Sequence, residues 1–138
     1  MNNMKILFIS LGCDKNLVDS EHMLGLTFDL IRRLNQYHAN QAEHVWKAMG
    51  NIISVEGSTI LVLGLGDIGG DYARKVHALG AHVIGVRRTN RNKPDYLDEQ
   101  HTMDDLDMLL GRADIVAMVL PGGSATNHIM DERRLRLM

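Results

Sequence analysis

"STILVLGLGDIGGDYARKVHALGAHVIGVRRT", residues 58–89, decides how the rest of the chain reads. It opens with a β-branched, apolar run that breaks on glycines, the pattern of a buried strand. "DIGGDYARKVHAL" then places Ile68, Tyr72, Val76 and Leu79 on one helical face, and Gly80 stops the helix. "AHVIGV" (81–86) reads as a second strand. Between first strand and helix, Gly64, Gly66 and Gly69 form a G-x-G-x-x-G pattern. The pattern is weak alone, but here it follows a strand and opens a helix, which gives it a mechanism. Gly64 permits the tight turn. Gly66, lacking a Cβ, lets a pyrophosphate approach the backbone. Gly69 lets the helix pack close to the strand. Asp67 and Ile68 complete the candidate loop, and the free N–H groups of the helix start favour an anion. A purely structural glycine turn is the plainer alternative.

The end of the second strand bears on cofactor choice. Sites of this kind usually carry Asp or Glu there, accepting hydrogen bonds from ribose hydroxyls. Here the chain reads "VIGVRRT", with no acid. Arg87 stands where the carboxylate would be, followed by Arg88 and Thr89. Guanidinium groups form strong, often bidentate bonds to phosphate, so this trio suits a 2′-phosphate. The sequence therefore favours NADP, with NAD the alternative. Two solvated arginines are the blander reading.

Outward from this unit, "RRTNRNKPDYLDEQ" (87–100) is polar and loop-like. In "HTMDDLDMLLG" (101–111), Thr102 is placed to act as N-cap with Asp105 three residues later, a variant of the capping box. Leu106, Leu109 and Leu110 give that helix its apolar side, and Gly111 ends it. "DIVAMVL" (114–120) predicts a third strand, ended by "PGG". On the N-terminal side, Met23, Leu26, Leu30 and Leu34 recur at helical spacing, flanked by Leu24 and Ile31. They predict a helix from Ser20 to about Asn35. A polar segment, "QYHANQAEHVWKAMGN", follows and carries the only Trp, Trp46. "KILFIS" (5–10) reads as a short buried strand. The alternation of strands and helices with short links predicts an α/β fold, a truncated Rossmann-type parallel sheet with flanking helices.

Bulk properties narrow the partners. Of 138 residues, 45% are hydrophobic and 23% charged, an ordinary globular composition. A net charge of -2 and a pI near 6.4 give no reason to expect nucleic acid or an anionic membrane. No apolar run approaches the ~20 residues of a membrane span. Arginines cluster at Arg87, Arg88 and Arg91 and at Arg133, Arg134 and Arg136, and such runs usually form a solvated face. A single cysteine, Cys13, excludes an internal disulfide and suggests a reducing, cytoplasmic setting. The histidines show no H-E-x-x-H and no tight metal spacing. No nucleophile elbow or paired catalytic carboxylates stand out, so neither a catalytic residue nor a metal ligand is assigned.

Residues 21–138 resemble the coenzyme-binding part of the D-isomer-specific 2-hydroxyacid dehydrogenases. "EHMLGLTFDLIRRLNQYHANQ" looks like the family's long helix, and "VWK" like the Trp-containing arm before the first coenzyme strand. The 58–89 unit fits the family's first strand–helix–strand closely. "ADIVAMVLPGGSATNHI" (113–129) fits its later segment. The resemblance implies hydride transfer between a nicotinamide and a 2-hydroxy or 2-keto acid. It implies that Leu120 and Pro121 wall the adenine side. It also implies a homodimer formed through helix 21–35 and the Trp46 arm. No residue matches the family's catalytic Arg, Glu or His, so inactivity of the isolated chain is expected.

Residues 1–24 resemble something else. "MKILFISLGCDKNLVDSEHML" is similar to the amino terminus of radical-SAM methylthiotransferases, where Cys13 would match one ligand of an auxiliary iron–sulfur cluster. One thiolate cannot hold a cluster that normally needs about four ligands, so an inert thiol is expected. The division expected is therefore 1–20 for this segment, 21–50 for the helix and dimerisation arm, and 51–138 for a partial nucleotide-binding domain. Family strands not matched would leave the sheet edge beside 114–120 open, and "KILFIS" or a second copy of the chain is expected to fill it. The leading reading is the NAD(P)-binding portion of an oxidoreductase. A non-catalytic nucleotide-binding or dimerising module is the alternative, and a methylthiotransferase fragment a more distant one.

Overall fold

Five short strands, each a run of two to three alternating pairs, share one parallel sheet. The computed structural model describes residues 6–9, 16–89 and 92–138, with side chains from Asp19 onward, so Cys13 and Arg91 lie outside the described residues. In chain order the elements are β1 (Ile6–Ile9), α1 (Asn16–Ile31), α2 (Leu34–Ala42), β2 (Thr59–Leu63), α3 (Asp67–Ala78), β3 (His82–Arg87) and β4 (Glu99–Thr102). A 3-10 turn (Met103–Asp105) then leads into α4 (Leu106–Arg112), followed by β5 (Ile115–Met118) and α5 (Glu132–Leu135). The sheet order is β1-β5-β2-β3-β4, and every neighbouring pair is parallel.

Strand side chains alternate between faces, so each central strand feeds two cores. Ile60, Val62, Val83, Ile115 and Ala117 face Met23 and Ile31 of α1 and Ile68, Tyr72 and Val76 of α3. Leu61, Leu63, Ile84, Val86 and Val116 face Leu106, Leu109 and Leu110 of α4. All the central-strand residues named are fully buried, and each Val, Leu and Ile among them contributes about 1.5–3 kcal/mol of apolar burial. Helices on both faces of a parallel sheet are the Rossmann-type α/β arrangement expected from the sequence.

β1 lies against β5, with Ile6 opposite Ile115 and Ile9 opposite Met118. The expectation that "KILFIS" fills this edge within one chain therefore holds for residues 6–9.

Several expectations need correction. The first helix starts earlier, at Asn16, and ends at Ile31. Arg33 then adopts a left-handed conformation, φ 55°, and a second helix, α2, occupies much of the segment read as polar. A left-handed non-glycine residue is unfavourable. Here the Arg33 guanidinium donates to the Met49 carbonyl at 2.5 Å, which holds the break. The buried side of α1 is Ser20, Met23, Thr27 and Ile31, whereas Leu26 and Leu30, with Leu34 at the start of α2, are exposed. Thr102 caps nothing with its side chain, because it ends β4. Asp105 instead pairs with His101 Nδ1 at 3.2 Å.

Candidate nucleotide-binding site

In a parallel sheet flanked by helices, loops leaving the carboxyl ends of the strands converge on one side, where ligands bind. Here β2, β3 and β5 lie side by side, and their exits enclose a cavity of about 580 Å³. The loop after β2 contributes Gly64, Leu65 and Gly66. The end of β3 contributes Arg87, Arg88 and Thr89. The segment after β5 contributes Leu120, Pro121 and Thr126.

The glycine loop is built as the motif requires. Gly64 sits at φ +96°, and a Cβ there would collide with the Val119 carbonyl oxygen. A Cβ on Gly69 would collide with the Gly64 carbonyl oxygen, so α3 starts directly against the turn. A Cβ on Gly66 would meet no atom within 4 Å. Gly66 is extended and serves as N-cap of α3 without a side-chain cap, and a helix start of this kind is one where anions are favoured. Main-chain bonds continue from the sheet into the loops: Gly64 N–H donates to Val86 at 3.0 Å, and Val119 N–H donates to Leu63 at 2.8 Å. The Thr126 hydroxyl donates to the Pro121 carbonyl at 2.6 Å and fastens the far wall.

The residues singled out from the sequence divide into two groups. Gly64, Gly66, Arg87, Arg88, Thr89, Leu120 and Pro121 line the cavity. Asp67 is exposed at the first turn of α3, Ile68 is buried in the core, and Gly69 packs on the turn. These three shape the cradle from behind. Sequence reading did not single out Leu65, Val86, Met103, Ala125 or Ile129, which also line the cavity. Met103 follows β4, a strand whose sequence "EQHT" carries no apolar signal. Ala125 and Thr126 follow a "PGG" turn whose route only the fold shows.

Strongly perturbed carboxylates lie elsewhere. The Ser20 hydroxyl, then Lys75, hold Asp71 well below the usual carboxylate range. The Arg112 guanidinium, then His101 and His82, do the same for Glu99. Asp107 falls to about 2 beside Arg133 and Arg134. Burial pushes the Tyr72 phenol up to about 12. These groups fasten helices and the β4 edge and do not line the cavity. Among the described residues, no three metal-capable side chains come together, and no helix is long and apolar enough to cross a membrane.

A glycine cradle with open space at Gly66, a helix start behind it and a cation-bearing strand end beside it fit a dinucleotide phosphate. Comparison with known proteins agrees. Residues 24–138 match the family model of the D-isomer specific 2-hydroxyacid dehydrogenase NAD binding domain, and the chain belongs to that family. A D-3-phosphoglycerate dehydrogenase of Mycobacterium leprae is 31% identical over 119 residues, 84% of this chain and 22% of that protein. An NADPH-dependent glyoxylate/hydroxypyruvate reductase of Sinorhizobium meliloti, solved with NADP and sulfate, superposes with a TM-score of 0.78 at 27% identity. That match covers 92% of this chain and 40% of the reductase. A stretch of 26 residues, 19% of this chain, is 85% identical to a ribosomal protein uS12 methylthiotransferase of Lachnoclostridium phytofermentans, 6% of whose length it covers. The chain thus spans 22% to 25% of the length of the curated phosphoglycerate dehydrogenases and glyoxylate reductases it matches. Its nicotinamide-binding fold is that of the family.

Proposed function

We propose that this chain is the nucleotide-binding portion of a 2-hydroxyacid oxidoreductase and takes NADP in preference to NAD. The observation that carries the preference is the acid-free end of β3, where Arg87, Arg88 and Thr89 border the same cavity as the glycine cradle. The pyrophosphate rests on the N–H groups at Gly66 and the start of α3. The segment closing β3 meets the 2′-phosphate, and Leu120 and Pro121 flank the adenine. When bound, the nicotinamide supplies or accepts the hydride. No residue of this chain is assigned to substrate binding or proton transfer.

Calorimetric titration tests the preference. NADPH is expected to bind about tenfold or more tightly than NADH, as one charge-assisted contact to phosphate implies. Equal affinities would refute it. In a turnover assay with glyoxylate, hydroxypyruvate or pyruvate, the chain alone is expected not to consume NADPH.

A second property is proposed alongside: pairing of two copies through α1, α2 and the Trp46 arm. Leu26, Leu30, Leu34 and Tyr37 are exposed on these helices, and Trp46 is 104% exposed. A groove of about 700 Å³ lies between α2 and the arm, lined by Tyr37, Asn40, His44 and Trp46. Large apolar side chains exposed on successive helical turns support pairing. The sequence division at residues 20 and 50 is retained in this reading: borrowed edge strand, pairing helices, nucleotide-binding portion.

A further inference from the structure

We infer that Arg87 clasps the glycine loop, whereas Arg88 and Thr89 alone discriminate the 2′-phosphate. For its ligand the inference rests on the nucleotide reading above. For its geometry it rests on contacts between β3 and the loop.

Leu65 is the one side chain between the two loop glycines, and β3 grips it twice. A Cβ on Gly85 would lie 2.6 Å from Leu65 Cδ1 and 2.8 Å from Leu97 Cδ1, so the missing side chain at Gly85 is the socket that Leu65 fills. Two residues on, and therefore on the same face of the strand, Arg87 Nη2 donates to the Leu65 carbonyl at 3.3 Å. Arg87 is itself held in the sheet, opposite Thr102 of β4, and is half-buried. A guanidinium committed to a main-chain carbonyl of the cradle acts on the part of the site that both cofactors share. Its loss is felt by NADH and NADPH alike. Arg88 and Thr89 are exposed, lie beyond the last paired residue of β3 and line the cavity. They are placed to meet the group that distinguishes the two cofactors.

The test compares the full chain with Arg87→Ala and Arg88→Ala, by titration with NADPH and NADH and by amide hydrogen exchange without nucleotide. Arg87→Ala is expected to weaken both nucleotides about fivefold, the scale of one neutral-acceptor hydrogen bond, with their ratio unchanged. It is also expected to speed exchange at Gly66 and Asp67 while Leu61 and Ile84 in the strands keep their protection, which separates loop loosening from unfolding. Arg88→Ala is expected to weaken NADPH about tenfold or more, leave NADH unchanged and leave loop exchange unchanged. Selective loss of NADPH in Arg87→Ala, or loop exchange unaltered by it, would overturn the inference. If the unmodified chain binds neither nucleotide, the functional reading fails, and the exchange measurement still decides the clasp.

Discussion

The Ser20 hydroxyl donates to the Asp71 carboxylate at 2.5 Å, across 51 residues of sequence. Lys75 closes the set, donating to Ser20 at 2.8 Å and pairing with Asp71 at 2.9 Å. Ser20 is fully buried and lies in the stretch that resembles methylthiotransferases. Asp71 and Lys75 lie in the matched dehydrogenase domain. The two parts are therefore joined by a satisfied polar network and not merely by a peptide bond.

Ser20→Ala is expected to destabilise the fold by about 1–2 kcal/mol at pH 7, because two half-buried partners lose a shared, buried hydroxyl. Asp71 has a lowered value in the fold against an ordinary 3.8. Its contribution is complete above that ordinary value and is lost as pH falls toward the folded one. Urea melts of the variant and the unmodified chain should therefore differ most at neutral pH and converge as pH drops below about 3.

Glu99 makes the same argument at the sheet margin. Arg112 donates to both carboxylate oxygens, while His82 and His101 each lie 3.0 Å away. Against an ordinary 4.5 its value is lowered, so this stabilisation is present above that pH and is lost as pH falls from there through the lowered folded value. Glu99→Gln is expected to lower the melting temperature at pH 7 by about 3–6 °C. It should also flatten the pH dependence of stability below pH ~5, as followed by circular dichroism.

The two glycines of the cradle should respond in opposite ways. Gly66→Ala meets open space, so its stability should stay within about 0.5 kcal/mol, while affinity for NADPH falls about tenfold or more as the Cβ enters the phosphate position. Gly69→Ala drives a Cβ into the Gly64 carbonyl and should cost about 2–3 kcal/mol of stability. Thermal melts paired with calorimetry check both.

Leu30→Glu is expected to leave the melting temperature of a dilute sample nearly unchanged, because Leu30 is exposed. If α1 pairs with a second copy, the same change abolishes the dimer in sedimentation velocity. A unmodified chain that sediments as a monomer at tens of micromolar would refute the pairing.

How far the sequence was legible depended on what each side chain buries. The β2–loop–α3–β3 unit could be read because "TILVL" and "HVIGVR" are apolar on both faces and glycines mark every turn. β4 could not, since "EQHT" joins the sheet through its main chain, and its Glu99 and His101 side chains pair with each other and with Arg112 and Asp105. Leu26 and Leu30 of α1 have helical spacing yet are exposed, while Ser20 and Thr27 take the inside. Polarity misled there because both hydroxyls are satisfied: Ser20 by Asp71, and Thr27 by the Met23 carbonyl at 2.8 Å and the Tyr72 hydroxyl at 2.9 Å. In the site, motif glycines and arginines were visible. Walls supplied by Met103 and Ala125 were not, because their position depends on how the sheet brings β4 and β5 to the same end.

The order of strands also sets a sequence of events in synthesis. β1 is made first, yet its partner β5 leaves the ribosome more than one hundred residues later. Closing so long a loop is slow and entropically unfavourable. Until then a bare apolar strand trails from a nascent chain whose β2, α3 and β3 can already associate. Of the strand pairings in this sheet, β1 on β5 therefore closes the longest loop and carries the largest entropic cost.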